Sequence, residues 1–232
     1  MIKFFKRFFI PHLIILVITL VSFLFLYTQS VHIIEEQLIS SRLAYLRLVR
    51  TGLDSDITNI VHSANQISNN PRVRSFVHIN DPHSGPNIFR VVEVIDTVHN
   101  YNIDNPLSIN TFAVFYSNGV IVLPNQAAEL SILYPFFFNV EGMGYHEWWD
   151  MVFSENHYSR FLPSMTLKLN RNYYDAIQYI TPIRAPDGNL GAIISIINNS
   201  AIQNMFQGLN MLDGEMNFIL SSAGDVVSSM SG

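Results

Sequence analysis

Cysteine is absent from all 232 residues, which excludes a disulfide framework, a thiolate nucleophile and a cysteine-ligated zinc site. For a chain whose bulk faces outward, that absence favours a bacterial envelope over an animal secretory pathway. Basic residues are scarce. Lys and Arg number 13 against 18 Asp and Glu, a formal net charge of −5, so no cationic surface is on offer and no nucleic-acid partner is expected. The eight histidines, at 12, 32, 62, 78, 83, 99, 146 and 157, include no His-x-x-x-His pair and no carboxylate spacing used by metal enzymes. Gly-x-Ser-x-Gly and phosphate-loop patterns are missing too, so neither catalysis, a metal nor a cofactor is predicted. Tryptophan occurs only twice, side by side at Trp148 and Trp149.

What the chain does have begins at once. Phe8 to Tyr27 is an apolar run without a formally charged residue, preceded by Lys3, Lys6 and Arg7. At about 1.5 Å per residue such a helix spans the hydrocarbon of a bilayer, and a helix satisfies its own backbone there. The core is longer than that of a cleaved signal peptide, and Tyr27-Thr28-Gln29-Ser30 is a poor cleavage site. After the span no Lys or Arg occurs until Arg42, so the expected orientation keeps residues 1–7 in the cytoplasm and the rest of the chain outside the cell membrane.

From Ser30 to about Asn69 apolar residues recur at Ile34, Leu38, Tyr45, Leu48, Leu53, Ile57, Ile60, Ala64 and Ile67. These spacings predict one long helix continuing out of the membrane, with a bend near Gly52 and Asp54-Ser55-Asp56 and a stop at Asn69-Asn70-Pro71. A helix of that length suggests a stalk over 28–70, a seam for a homodimer, or both, the alternative being a helix packed along its own domain. A short helical turn at Val73 to Val77, a loop to Pro86 and a helix over Asn87 to Asn100 follow. At Ile109 the period changes to two. INTFAVFY, the turn Ser117-Asn118-Gly119 and VIVLP form a hairpin. Ala127 to Val140 and Gly144 to Glu155 read as a helical or irregular insertion, and strands are predicted at Arg160 to Leu169, Tyr173 to Ile183 and Leu190 to Ile197, with a turn at Ala185 to Asn189. The expected fold is therefore α+β: a transmembrane helix running into a long helix, then a module with a five-stranded antiparallel sheet. Ser200 is placed to cap a helix over Ala201 to Leu209. Glu215 to Leu220 and Val226 to Ser229 then read as a further hairpin, and YSNGVIV against SSAGDVV marks it as the start of a second copy of the module, interrupted at residue 232.

Phe112 to Val122, and above all YITPIRAPDGNLGAIISII from Tyr179 to Ile197, resemble the double Cache (PAS-like) sensor region of bacterial receptors. The resemblance implies a membrane-distal module over 71–199, then a connecting helix and the first hairpin of a membrane-proximal module over 200–232. It also implies small-molecule sensing as the function. The head FFKRFFIPHLIILVITLV, with IIEEQ and NNPRVRSF after it, further resembles membrane-anchored AraC-type transcription regulators of Gram-positive bacteria. In that case a second span and a cytoplasmic helix-turn-helix output would follow. A histidine kinase or chemoreceptor output and a non-signalling anchored binding module are the alternatives.

Tyr145-His146-Glu147-Trp148-Trp149-Asp150 concentrates aromatic surface suited to the wall of a ligand pocket, or to packing against the sheet. The resemblance implies that an Arg-x-Trp-aromatic segment grips a ligand carboxylate here, with a downstream Asp taking the ammonium. This chain has His146-x-Trp148-Trp149 instead, losing the bidentate guanidinium. Aromatic walls with a few acceptors would equally suit a neutral sugar. Strand alternation puts Asp175, Ile177, Tyr179 and Thr181 on one face. If that face looks toward the tryptophans, the ligand-binding set is His146, Trp148, Trp149, Tyr174, Asp175 and Tyr179.

Overall fold

The computed structural model describes residues 2–102, 105–153, 158–185, 188–207, 216–220, 224 and 226–231. One helix, α1 (Ile2–Asn69), runs through the apolar stretch and the predicted stalk and ends where Asn70 accepts a hydrogen bond from Arg72 N and starts α2 (Pro71–Phe76). It is helical through Gly52 and Asp54 to Asp56. Two compact units divide the chain at Leu48 and Val49. The first consists of α1 up to Leu48. Its side chains from Leu13 to Leu26 are roughly half exposed or more wherever they are large and apolar, and this helix is long and apolar enough to cross a membrane.

The second unit, Val49 to Gly232, is built on a sheet. After α3 (Asn87–Tyr101) come β1 (Ser108–Phe115), β2 (Val120–Leu123), β3 (Gln126–Glu129), α4 (Leu130–Leu133), β4 (Phe138–Val140), α5 (Tyr145–Phe153), β5 (Arg160–Leu169), β6 (Asn172–Ala185) and β7 (Gly188–Asn198). The seven strands lie in the order β3-β2-β1-β7-β6-β5-β4, antiparallel throughout. Its five central strands are the five predicted. β3 and β4 are additions at the edges, inside the stretch read as helical or irregular. Gln-Ala-Ala-Glu has no β-branched residue and no apolar alternation, so its pairing with β2 (Val122↔Ala127, Val120↔Glu129) is set by the tight turn before it and not by propensity. This α+β architecture is consistent with the PAS-like Cache module that the sequence resembles.

In the β1–β2 turn only Gly119 takes a positive φ, 68°, while Asn118 acts through its side chain. Its Oδ1 accepts from Val120 N at 3.1 Å and its Nδ2 donates to Ile79 O at 3.1 Å; Ser117 Oγ donates to Val77 O at 2.6 Å. The turn thereby pins the segment after α2 to the sheet.

Each sheet face has its own core. One face packs Phe115, Ile177, Ile183 and Ile193 under Ile60, Ala64 and Ile67 of α1, Phe76 of α2 and Val94 and Val98 of α3. The other packs Phe112, Val114, Ile180 and Ile194 under Leu130 of α4, Phe138 of β4 and Trp148 and Val152 of α5. The alternation of buried residues along β7, with Ile193 on one side and Ile194 on the other, lets a near-continuous apolar run serve both cores. Gly191 fixes the spacing of β7 against β1. A Cβ there would stand 2.6 Å from Val114 O and 3.1 Å from Ile183 Cδ1. Gly191→Ala is expected to cost about 1–3 kcal/mol through overpacking, measured as a lowered denaturant midpoint with an unchanged slope.

Beyond β7 the chain enters α6 (Asn199–Met205), then β8 (Met216–Leu220) and β9 (Val226–Ser231), which pair in a separate two-stranded sheet. α6 starts earlier than its sequence indicated. Asn198, not Ser200, is the cap, its Oδ1 accepting from Ala201 N at 3.2 Å. Of the expected turns, Pro186 and Asp187, and most of Ser221 to Asp225, lie outside the described residues.

Candidate functional site

The aromatic helix α5 lies on the sheet face opposite α1. Trp148 points inward and is fully buried. Its ring meets Phe138 at 5.0 Å and Tyr134 at 5.6 Å between centroids, and its Nε1 donates to Gln178 Oε1 at 3.3 Å. Gln178 is itself fully buried on β6, with its Nε2 against the Met165 sulfur at 4.0 Å. Trp149, one residue on, is only half-buried. It stacks on Tyr116 at 5.5 Å with an interplanar angle of 27°, and contacts Phe153 at 4.6 Å and Tyr145 at 5.7 Å. Tyr145, Trp149 and Phe153 are four residues apart and share one helix face. Tyr116, just past β1, closes the cluster and is 53% exposed.

Two carboxylates act on the tyrosines of this side. Burial raises the Tyr145 phenol above its ordinary range, and the charge of Glu129 adds to the shift. Burial likewise raises Tyr134, with the bond from Val140 N acting against it and Glu147 reinforcing it. Both phenols are neutral donors at physiological pH. Tyr134 Oη accepts from Val140 N of β4 at 3.4 Å and donates to Met143 O at 3.1 Å, and so ties β4 to the loop before α5. Arg160, at the start of β5, donates from its guanidinium to Met151 O at the end of α5, a favourable charge for a helix C-terminus.

Of the six residues singled out by sequence, His146, Trp148, Trp149 and Tyr174 lie on this side. His146 is exposed and touches Tyr145 edge-on at 5.1 Å, and Tyr174 is half-buried against the Trp148 core. Asp175 and Tyr179 do not join them. The face shared by Asp175, Ile177 and Tyr179 looks toward α1 and α3, away from the tryptophans, because β6 presents Tyr174, Ala176, Gln178 and Ile180 to α5. Tyr179 is 4% exposed with its ring against Phe161 at 4.7 Å. Asp175 is exposed and bonded to Ser164 and Asn199. The alternation along β6 holds, and the condition that its Asp175 face look toward the tryptophans is not met. The ligand set expected from sequence omits Tyr116, Tyr145, Phe153, Gln178 and Arg160, although Tyr145 stands in the stretch read as a pocket wall. The 145/149/153 spacing carried a signal for two of them. Among the described residues no group of three or more His, Asp or Glu is arranged to hold a metal ion.

No family model matches the chain, and no curated protein matches it. Among solved structures it is similar to the ligand-binding domain of the Campylobacter jejuni chemoreceptor Tlp3 in complex with 4-methylisoleucine, with 12% identity and a TM-score of 0.49 over 84% of this chain and 70% of that one. The sensory domain of the same receptor with isoleucine bound matches at 12% identity and a TM-score of 0.47 over 84% and 71%.

Proposed function

We infer that this chain is the extracytoplasmic small-molecule sensing region of a bacterial transmembrane receptor, anchored by α1 with residues 1–7 in the cytoplasm. The observation that carries the reading is the asymmetry of α5. Trp148 is spent on the core, whereas Trp149, its neighbour on the same short helix, stacks on the exposed Tyr116 just past β1, and the two form a partly open aromatic platform that costs solvation unless something covers it. The ligand we infer is a small molecule with an apolar or planar face, contacted by Trp149, Tyr116, Tyr145 and His146, with Tyr174 and Trp148 setting the floor. Asp175 and Tyr179 are left out of the contact set. Domain limits follow the sequence reading: span 8–27, stalk 28–70, membrane-distal module 71–199 and the beginning of a membrane-proximal module after it. An AraC-type transcription regulator is the output we infer, on the strength of the amino-terminal head alone.

A thermal-shift screen of the full chain in detergent against sugars and amino acids tests this. A ligand should raise the midpoint in a concentration-dependent way, by mass action on the folded state, and Trp149→Ala should abolish the rise while leaving the unliganded midpoint within a few degrees. An unchanged rise in that variant would remove the platform from the site.

We also infer a homodimer along α1. Ile34, Leu38 and Leu48 are 62%, 53% and 69% exposed, and with Tyr45 they follow a spacing of four, seven and three that makes one seam in a paired helix. Sedimentation of the full chain in micelles should give a dimer, and Leu38→Arg should give a monomer. A wild-type chain that is monomeric at high concentration would sink the seam.

A further inference from the structure

Asp175 lies off the aromatic face, and its partners give it another task. β5 breaks register with β6 between Leu162 and Met165, at Pro163, which has no amide proton to give to a ladder, and Ser164. Ser164 Oγ donates to one carboxylate oxygen of Asp175. The other oxygen accepts from Asn199 Nδ2 at 2.6 Å. Asn199 is the first residue of α6 and is 2% exposed; its Oδ1 has no hydrogen-bond partner among the described residues. A buried amide satisfied on one side only depends on that one bond, and a charged acceptor makes it a strong one. α6 then sends Ile202 into the core beneath α1, and its Gln203 Nε2 donates to Ser229 O of β9 at 3.2 Å. Val227 of β9 is buried in that same core.

We propose that Asp175 is a latch between the seven-stranded sheet and the segment that follows it: its carboxylate ties the β5 bulge and β6 to the start of α6, and through α6 it holds the β8–β9 hairpin. The neighbouring residues of the strand give the latch an input. Tyr174 and Gln178 face the α5 side, Asp175 faces the other, so a displacement of β6 by a ligand on the aromatic side alters the Asp175 to Asn199 geometry without an intermediary. This input rests on the sensing reading above; the latch itself does not.

Amide hydrogen exchange of the full chain in micelles, without ligand, tests the latch. Asp175→Ala should speed exchange in 199–205 and 226–231 by roughly tenfold or more, while amides of β1, β2 and α5 keep their rates. Asn199→Asp, which opposes two carboxylates, should act in the same direction. The swap Asp175→Asn with Asn199→Asp restores one donor and one acceptor with their places exchanged, and should return exchange to within about threefold of the wild type, an effect that loss of packing alone would not produce. Unaltered exchange in Asp175→Ala, or no recovery in the swap, overturns the latch. Should Asp175→Ala instead leave exchange unchanged and abolish ligand-induced stabilisation, the residue belongs to the ligand site and the latch is refuted while the sensing reading stands.

Discussion

Trp148→Ala is expected to destabilise the sheet unit by about 3–5 kcal/mol, a loss comparable with the whole stability of many domains. The ring is fully buried between Phe138 and Tyr134, so truncation leaves a cavity walled by rigid aromatic groups that cannot collapse into it. It also strands Gln178 Oε1, which accepts from the indole at 3.3 Å, and a buried acceptor without a donor adds about 1–3 kcal/mol. Trp148→Phe separates the two costs: it keeps most of the volume and loses only the donor. Urea unfolding followed by circular dichroism should rank the variants wild type, Trp148→Phe, Trp148→Ala. Trp149→Ala should fall nearer the wild type, because that ring packs at the margin of the core and has no buried hydrogen-bond partner to strand. Equal destabilisation by the two tryptophan truncations would contradict the division of labour on α5.

Ile18→Arg should reduce membrane insertion of α1 on the order of a hundred-fold, since an arginine at the centre of a spanning helix costs about 2.5–3.5 kcal/mol on an insertion scale. Ile18 is 59% exposed and sits in the middle of the apolar run, where the interface lies beyond the reach of snorkelling. Alkaline extraction of membranes would measure it: wild-type chain stays in the pellet and the variant moves to the supernatant. Leu38→Arg, past the run on the same helix, should stay in the pellet. If Ile18→Arg pelleted as firmly as wild type, the run would not be crossing the bilayer.

Much of the fold was legible because it depends on local patterns. Period-two residues marked the five central strands, Asn118-Gly119 marked the first hairpin, and uncharged length marked Phe8 to Tyr27. Gln126 to Glu129 and Phe138 to Val140 were not legible as strands, since an edge strand is defined by the hydrogen bonds a neighbour offers and not by its own side chains. The cap of α6 was misread for a related reason. Asn198 and Ser200 are both good caps, and only the end of β7 decides which one is in position.

Sequence alone determined the apolar helix, its helical continuation to Asn69, the period of each strand and the rarity of the tryptophan pair, all properties of neighbours along the chain. Tertiary structure decided which side of the sheet each strand residue serves. Alternation gives Asp175 and Tyr179 a common face and Tyr174 and Gln178 the other, but it carries no sign, and the sign comes from where α5 and α1 dock. That choice joins Gln178 to Trp148 and sends the Asp175 carboxylate to Asn199 at the base of α6.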